Sequence, residues 1–141
     1  MEPLSLEGLP GEALLLVDTT PIIYTLERHP TFGPYFQPLF DAHGAGKLRF
    51  AVTTVTIAEV LIGPFKARKD DLARRYRIVL ESWRVIPLDV DIAQSAAKLR
   101  AETGLRLPDA IQLASAVAIN AFALVTHERD FSAVRGFRII R

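Results

Sequence analysis

Apolar runs of strand length recur along this chain, and most lead into a stretch patterned for a helix. ALLLV (13–17) is too short for a helix and reads as a buried strand. Thr20 and Pro21 then look like an N-cap and a first helical residue, opening a short helix to about Arg28. HPTFGP is a break. YFQPLFDAHGAGK holds a second short helix, interrupted by Pro38 and ended by Gly44 or Gly46. LRFAVTT (48–54) reads as a strand with β-branched residues at its end. VTIAEVLIG turns helical and stops at Gly63-Pro64. RKDDLARRYRIVLES places Leu72, Tyr76, Val79 and Leu80 at helical spacing, and WRVIPL is a short strand. DVDIAQSAAKLRAETG runs from a cap-like Asp to Gly104, with Ile92, Ala96 and Leu99 on one face. LPDAIQLASAVAIN starts with Pro108 at its first helical position and carries an apolar stripe of Ala110, Leu113, Ala114, Val117 and Ala118. AFALVT (121–126) and GFRII (136–140) are the last strands.

Strands separated by helices imply right-handed crossovers, and hence a mainly parallel sheet with helices on both faces. The expected fold is a single three-layer α/β/α domain over residues 1–141, with a sheet of about five strands. A chain of 141 residues buries about 68–70% of the surface its unfolded form exposes, so it needs no staples. It has no cysteine, which excludes disulfides and thiolate metal sites and suits a reducing cytoplasm. The N-terminal MEPLSLEGLPGEALLLVD lacks a basic n-region, and its apolar run is too short for a signal peptide or a membrane span. The net charge of +1 declares no global attraction to nucleic acid. Charge is uneven all the same. KARKDDLARRYR (66–77) carries six basic residues against two acidic ones. The ordinary reading of such a run is a solvated helix face, and the functional one is a surface that meets a polyanion.

In open parallel sheets, ligands bind beyond the carboxyl ends of the strands, where strand order reverses. Asp18 directly follows strand 13–17. Glu59 lies about one helical turn after strand 48–54. Asp130, with Glu128 beside it, follows strand 121–126. Asp109 sits in the first turn of a helix, where free N–H groups and the helix dipole favour a carboxylate. Each has an ordinary reading alone: Asp18 as turn or cap, Glu59 in a capping box with Thr56, Asp109 as a helix-start acid and Asp130 as a turn residue. Taken together they are harder to dismiss, because no basic partner stands in their motifs. Converging carboxylates repel one another and raise each other's pKa. A hard divalent cation, Mg²⁺ or Mn²⁺, resolves this with oxygen ligands, waters and a substrate phosphate. His29, His43 and His127 are scattered and offer no zinc site; His127 reads as a surface residue. Thr19, Thr20 and Thr126 stand beside the acids as supporting hydrogen-bond donors or simply as cap and strand-end residues.

LLLVDTTPIIYTLE, VTTVTIAEVLIG, LRLPDAIQLASA and ALVTHERDF, in that order, resemble the motifs of PIN domains, in particular the short VapC-like toxins of toxin–antitoxin pairs. The resemblance runs from about Leu14 to Ile139. It implies a Mg²⁺- or Mn²⁺-dependent ribonuclease. Asp18 matches the first-strand metal ligand, Glu59 the helical Glu, and Asp109 the Asp that opens the later helix. Asp130 is the preferred fourth acid, since Asp fits tight metal geometry, with Glu128 as an alternative ligand or supporting group. The family also implies homodimers and a small antitoxin whose C-terminal segment wraps the toxin and brings a basic residue near the acids. The leading expectation is therefore an endoribonuclease toxin. Lys66, Arg68, Lys69, Arg74 and Arg75 are the candidate contacts to the RNA backbone. A non-catalytic PIN module that binds a partner or RNA is the alternative. An acidic-cluster phosphatase ranks lower, because Asp18-Thr19-Thr20 lacks the Asp-x-Asp pair that the haloacid-dehalogenase type wants.

Overall fold

Successive residues of a strand face opposite sides of its sheet, so an entirely apolar strand needs cover on both faces. The first strand, β1 (Ala13–Val17), has all of its residues buried. Leu15 and Leu16 point to opposite sides, and neither is exposed to solvent. The computed structural model describes residues 1–141, the side chain of Ala133 excepted. The described residues form a five-stranded sheet in the order β3-β2-β1-β4-β5, with every pairing parallel. The other strands are β2 (Leu48–Thr53), β3 (Arg84–Ile86), β4 (Ala123–Val125) and β5 (Ile139–Ile140). Helices α1 (Thr19–Leu26), α2 (Phe32–Gly44), α3 (Thr54–Lys66) and α4 (Asp70–Glu81) supply Ile22, Phe36, Val60 and Leu80 to a core with Leu15, Val17 and Phe50. Helices α5 (Val90–Thr103) and α6 (Leu107–Ala118) build a second core on the opposite face, where Ile92, Ala96, Ala110 and Leu113 meet Leu14, Leu16 and Leu124. The three-layer, parallel α/β/α expectation is met.

Connections β1–β2–β3 move outward to one edge, and the next strand, β4, returns to the other side of β1. Strand order therefore reverses between β1 and β4, which places the switch point beside Asp18. The Asp18 N–H donates to the Val125 carbonyl at 2.8 Å, closing the gap at that point.

Local chemistry departs from the sequence expectations at several helix ends. α1 begins two residues earlier than expected, because Asp18 and not Thr20 is its N-cap: Asp18 Oδ1 accepts from the Thr19 N–H at 2.8 Å. The break before α2 shrinks to the residues just after Arg28, since α2 starts at Phe32. There His29 Nδ1 accepts from the N–H groups of Thr31 and Phe32, at 3.2 and 3.0 Å. Pro38 does not interrupt α2, and Gly63-Pro64 does not end α3. An internal proline costs about 3 kcal/mol. Burying Phe36, Leu39 and Ala42 along α2, at about 1.5–3 kcal/mol for each large apolar side chain, outweighs it. α3 is capped by Thr53, whose Oγ1 accepts from the Thr56 N–H at 3.1 Å. The Thr56–Glu59 capping box therefore does not form. Pro108 stands second in α6, after Leu107, and Val117 and Ala118 are exposed instead of continuing its buried stripe. No helix among the described residues is long and apolar enough to cross a membrane.

α5 must stop sharply for α6 to pack back on it. Gly104 does this with a left-handed φ of +75°, its N–H donating to the Arg100 carbonyl. A Cβ disfavours that conformation. Gly104→Ala should cost about 1 kcal/mol. The urea unfolding midpoint reads this, and an unchanged midpoint would contradict it.

Candidate active site

Asp18 leaves the carboxyl end of β1 with its side chain only 5% exposed. An isolated buried charge is costly unless donors surround it. Three do. Oδ1 accepts from the Thr19 N–H and from Gln112 Nε2, each at 2.8 Å. Oδ2 accepts from Thr126 Oγ1, also at 2.8 Å. Thr126 belongs to the end of β4 and Gln112 to α6, so one carboxylate ties the switch point together. A carboxylate offers about four lone-pair sites. Three are taken, and the remaining one is on Oδ2.

Gln112 is a residue of this group that the sequence did not single out. It is 1% exposed and sits one turn after Asp109 on α6. Its bonds fix its amide. Oε1 accepts from Thr53 Oγ1 at 2.7 Å, while Nε2 donates to Asp18 Oδ1 and to Thr56 Oγ1, the latter at 2.6 Å. Thr56 donates to Thr19 Oγ1 at 3.0 Å, because the single Thr19 hydroxyl proton goes to Glu59. Thr19 donates to Glu59 Oε1 at 2.8 Å. The hydroxyls and the amide thus form one directed chain, Thr53 to Gln112 to Thr56 to Thr19 to Glu59. It ends on the exposed carboxylate that the sequence singled out. The signal available was a lone amide inside the apolar run AIQLASA.

Asp109 lies in the first turn of α6 and is 4% exposed. Unlike Asp18 it is poorly compensated. Burial pushes its pKa from 3.8 up to about 6. Arg106 opposes that rise, while the charges of Asp18 and Glu128 add to it. Arg106 Nε donates to Asp109 Oδ2 at 3.3 Å, and its Nη2 lies 3.7 Å from Glu128 Oε2. The motifs therefore do hold a basic partner: Arg106 belongs to the LRLPDA run itself. Glu128 is half-buried, with its N–H bonded to Thr126 Oγ1 at 3.0 Å. Asp130 is exposed on the short 3₁₀ turn Arg129–Ala133 and reaches the site only as one of the charges acting on Arg106.

The histidines have other work. His127 is half-buried, not a surface residue: Tyr24 Oη lies 3.0 Å from its Nδ1, and its ring packs 4.5 Å from Phe32. His29 caps α2, and His43 stacks on Phe50 at 4.2 Å, where burial lowers its pKa. Lys66, Arg68, Lys69, Arg74 and Arg75 are all exposed. Arg68, Lys69 and Arg75 border an open surface hollow of about 630 Å³. Arg74 is engaged with Asp71 at 3.0 Å.

Among the described residues no three His, Asp or Glu side chains enclose a metal position by themselves. The donor set still suits a hard divalent cation. It is all oxygen, it contains two buried carboxylates from different elements, and Asp109 is compensated only by a loose contact with an exposed arginine. A cation held by few protein ligands completes its shell with water and phosphate, as Mg²⁺ does.

The PIN domain family matches residues 15–136, a span that includes every acid discussed above. A relative named Ribonuclease VapC5, from Mycobacterium tuberculosis, is 34% identical over 95 residues, covering 62% of this chain and 70% of that protein. A toxin-antitoxin complex from Klebsiella pneumoniae contains a chain with a TM-score of 0.70 and 29% identity, covering 90% of this chain and 96% of that one. A member of the VapBC family of toxin-antitoxin systems, VapBC-5 from Mycobacterium tuberculosis, matches at a TM-score of 0.59 and 29% identity, over 92% and 98% of the two chains.

Two outcomes follow from the contrast between the buried acids. A carboxyl whose pKa is raised by folding binds more protons in the folded state, so its contribution to stability falls as pH rises. For Asp109 that loss runs from about pH 4 to pH 6. Without divalent cations, Asp109→Asn should be more stable than the wild type at about pH 7, with the gap shrinking toward pH 4. Urea titrations at both pH values measure it, and a gap independent of pH would contradict it. Gln112→Leu should instead destabilise by about 2–4 kcal/mol, because it strands the Thr53 hydroxyl and removes a donor from Asp18. A loss below about 1 kcal/mol, typical of an exposed site, would show the chain of hydrogen bonds to be dispensable.

Proposed function

The chain belongs to the PIN domain family, alongside the VapC ribonucleases, and from that premise we propose that it is a divalent-metal-dependent endoribonuclease acting as the toxin of a toxin–antitoxin pair. The observation that carries the reading is the pair of buried carboxylates at the switch point: Asp18, fully braced, and Asp109, left short of positive charge. Asp18 and Asp109 hold Mg²⁺ or Mn²⁺, with Glu59 and Glu128 at the edge of the same group. Glu128 takes the fourth place because it shares Arg106 with Asp109. Asp130 contributes from farther out. The cation supplies Lewis-acid polarisation of the phosphodiester and lowers the pKa of water.

The protein's own groups do the rest. Thr19 and Thr126 orient Glu59 and Asp18, and Gln112 locks both into one arrangement. Preorganised groups of this kind do not have to reorient as charge develops on the phosphate. In-line attack by water leaves a 5′-phosphate and a 3′-hydroxyl. Lys66, Arg68, Lys69 and Arg75 engage the RNA backbone away from the acids, through contacts that weaken with salt. The domain spans residues 1–141, works in the cytoplasm as a homodimer, and is silenced by a small antitoxin. The toxin–antitoxin complexes among its structural relatives support that partner.

Cleavage of structured RNA in Mg²⁺ or Mn²⁺ tests the reading. Asp18→Asn and Asp109→Asn should each lower kcat/KM by a factor of about 10² or more, and chelation should stop turnover. Glu128→Gln should cost more than Asp130→Asn. Full activity in Asp18→Asn, or indifference to chelator, would sink the assignment. A larger loss in Asp130→Asn than in Glu128→Gln would reverse the order of those two acids.

A further inference from the structure

Among the described residues, Arg106 is the one basic side chain paired with any of the candidate acids. It is the N-cap residue of α6, three positions before Asp109. It reaches two acids from two elements, Asp109 of α6 at 3.3 Å and Glu128 after β4 at 3.7 Å. Its side chain is 62% exposed, whereas that of Asp109 is 5% exposed. An exposed group bonded to a buried one lies on its solvent side. The guanidinium therefore covers Asp109 from the direction by which a cation and an RNA must arrive.

We infer that Arg106 is a resident counter-ion that holds the metal's place on Asp109 and, once the metal is bound, turns its guanidinium to the RNA phosphate. This rests on the metal-dependent nuclease reading above. The contact with Asp109 is loose: a well-made charge-assisted N–H···O bond spans about 2.7–2.9 Å. A largely exposed ion pair of this kind is worth at most about fivefold in an equilibrium constant. A dication on Asp109 carries twice the charge and repels the guanidinium, so the two compete for one carboxylate. Glu128 retains Arg106 beside the site after that exchange. Arg has five donors, no acceptor and a planar fork that matches two phosphate oxygens. Its natural next partner there is the anionic phosphodiester.

The expected signature has opposite signs in two measurements on the full-length protein. In calorimetric titration with Mn²⁺ alone, Arg106→Gln should bind about two- to fivefold tighter than the wild type, because a competitor is gone. At saturating Mn²⁺ the same variant should cleave RNA with kcat/KM lowered about tenfold or more, and Arg106→Lys should recover part of the loss. A merely structural arginine would not strengthen metal binding. Equal or weaker Mn²⁺ binding in Arg106→Gln overturns the place-holding role, and an unchanged kcat/KM overturns the phosphate role. In either case Mn²⁺ binding by the wild type that is lost in Asp18→Asn leaves the nuclease reading standing. If the wild type itself binds no Mn²⁺, that reading falls and takes this inference with it.

Discussion

Everything at the carboxyl edge of the sheet depends on how the charge of Asp18 is carried. A buried carboxylate survives at the end of a central strand because donors from three other places reach it. The Thr19 amide begins α1, Gln112 rises from α6, and Thr126 closes β4. Without those donors the strand would have to end in an apolar residue or a solvated turn. With them, two strands and two helices share one origin, and the rest of the group can be positioned against it. The bond is at once a cap, a sheet clamp and a placement device.

Asp109 is governed by the opposite rule. It is equally buried but receives only a loose contact from an exposed arginine. Its raised pKa records a cost that the fold bears in the absence of a cation. Two carboxylates on the same edge thus have contrasting environments, one settled by the protein and one left for something else to settle. This is how a site stays ready for a ligand without collapsing around itself: rigidity is invested in one member and unmet electrostatic demand in the other.

The fold was largely legible because its signals are local. A run such as ALLLV has no alternative at that length, and Gly104 and Asp89 mark the ends of α5 by their own backbone chemistry. The misjudged boundaries share a cause: Pro38 and Pro64 look like breakers until tertiary burial outweighs their local cost. In the site, Asp18, Glu59 and Asp109 could be picked out as charges in apolar surroundings. Gln112 could not be ranked, because an uncharged amide in a buried helix means nothing until its three hydrogen-bond partners are known. Arg106 was hidden for another reason. Charge pairing across the turn into α6 depends on the side-chain path, which residue order does not reveal. The choice between Glu128 and Asp130 rests on that same path.

Asp18 and Thr126 are bonded across 108 residues of chain. Gln112, their common neighbour in the group, comes 94 residues after Asp18. A ribosome adding about 5–20 residues per second emits Asp18 roughly 5–20 seconds before Thr126. For most of that interval the central strand lacks its Gln112 and Thr126 donors, and α6 has yet to appear. No fragment that stops short of β4 possesses the edge on which the acids are arranged. The edge is therefore completed late in synthesis, and a product that ends before Thr126 lacks one of the donors that hold Asp18.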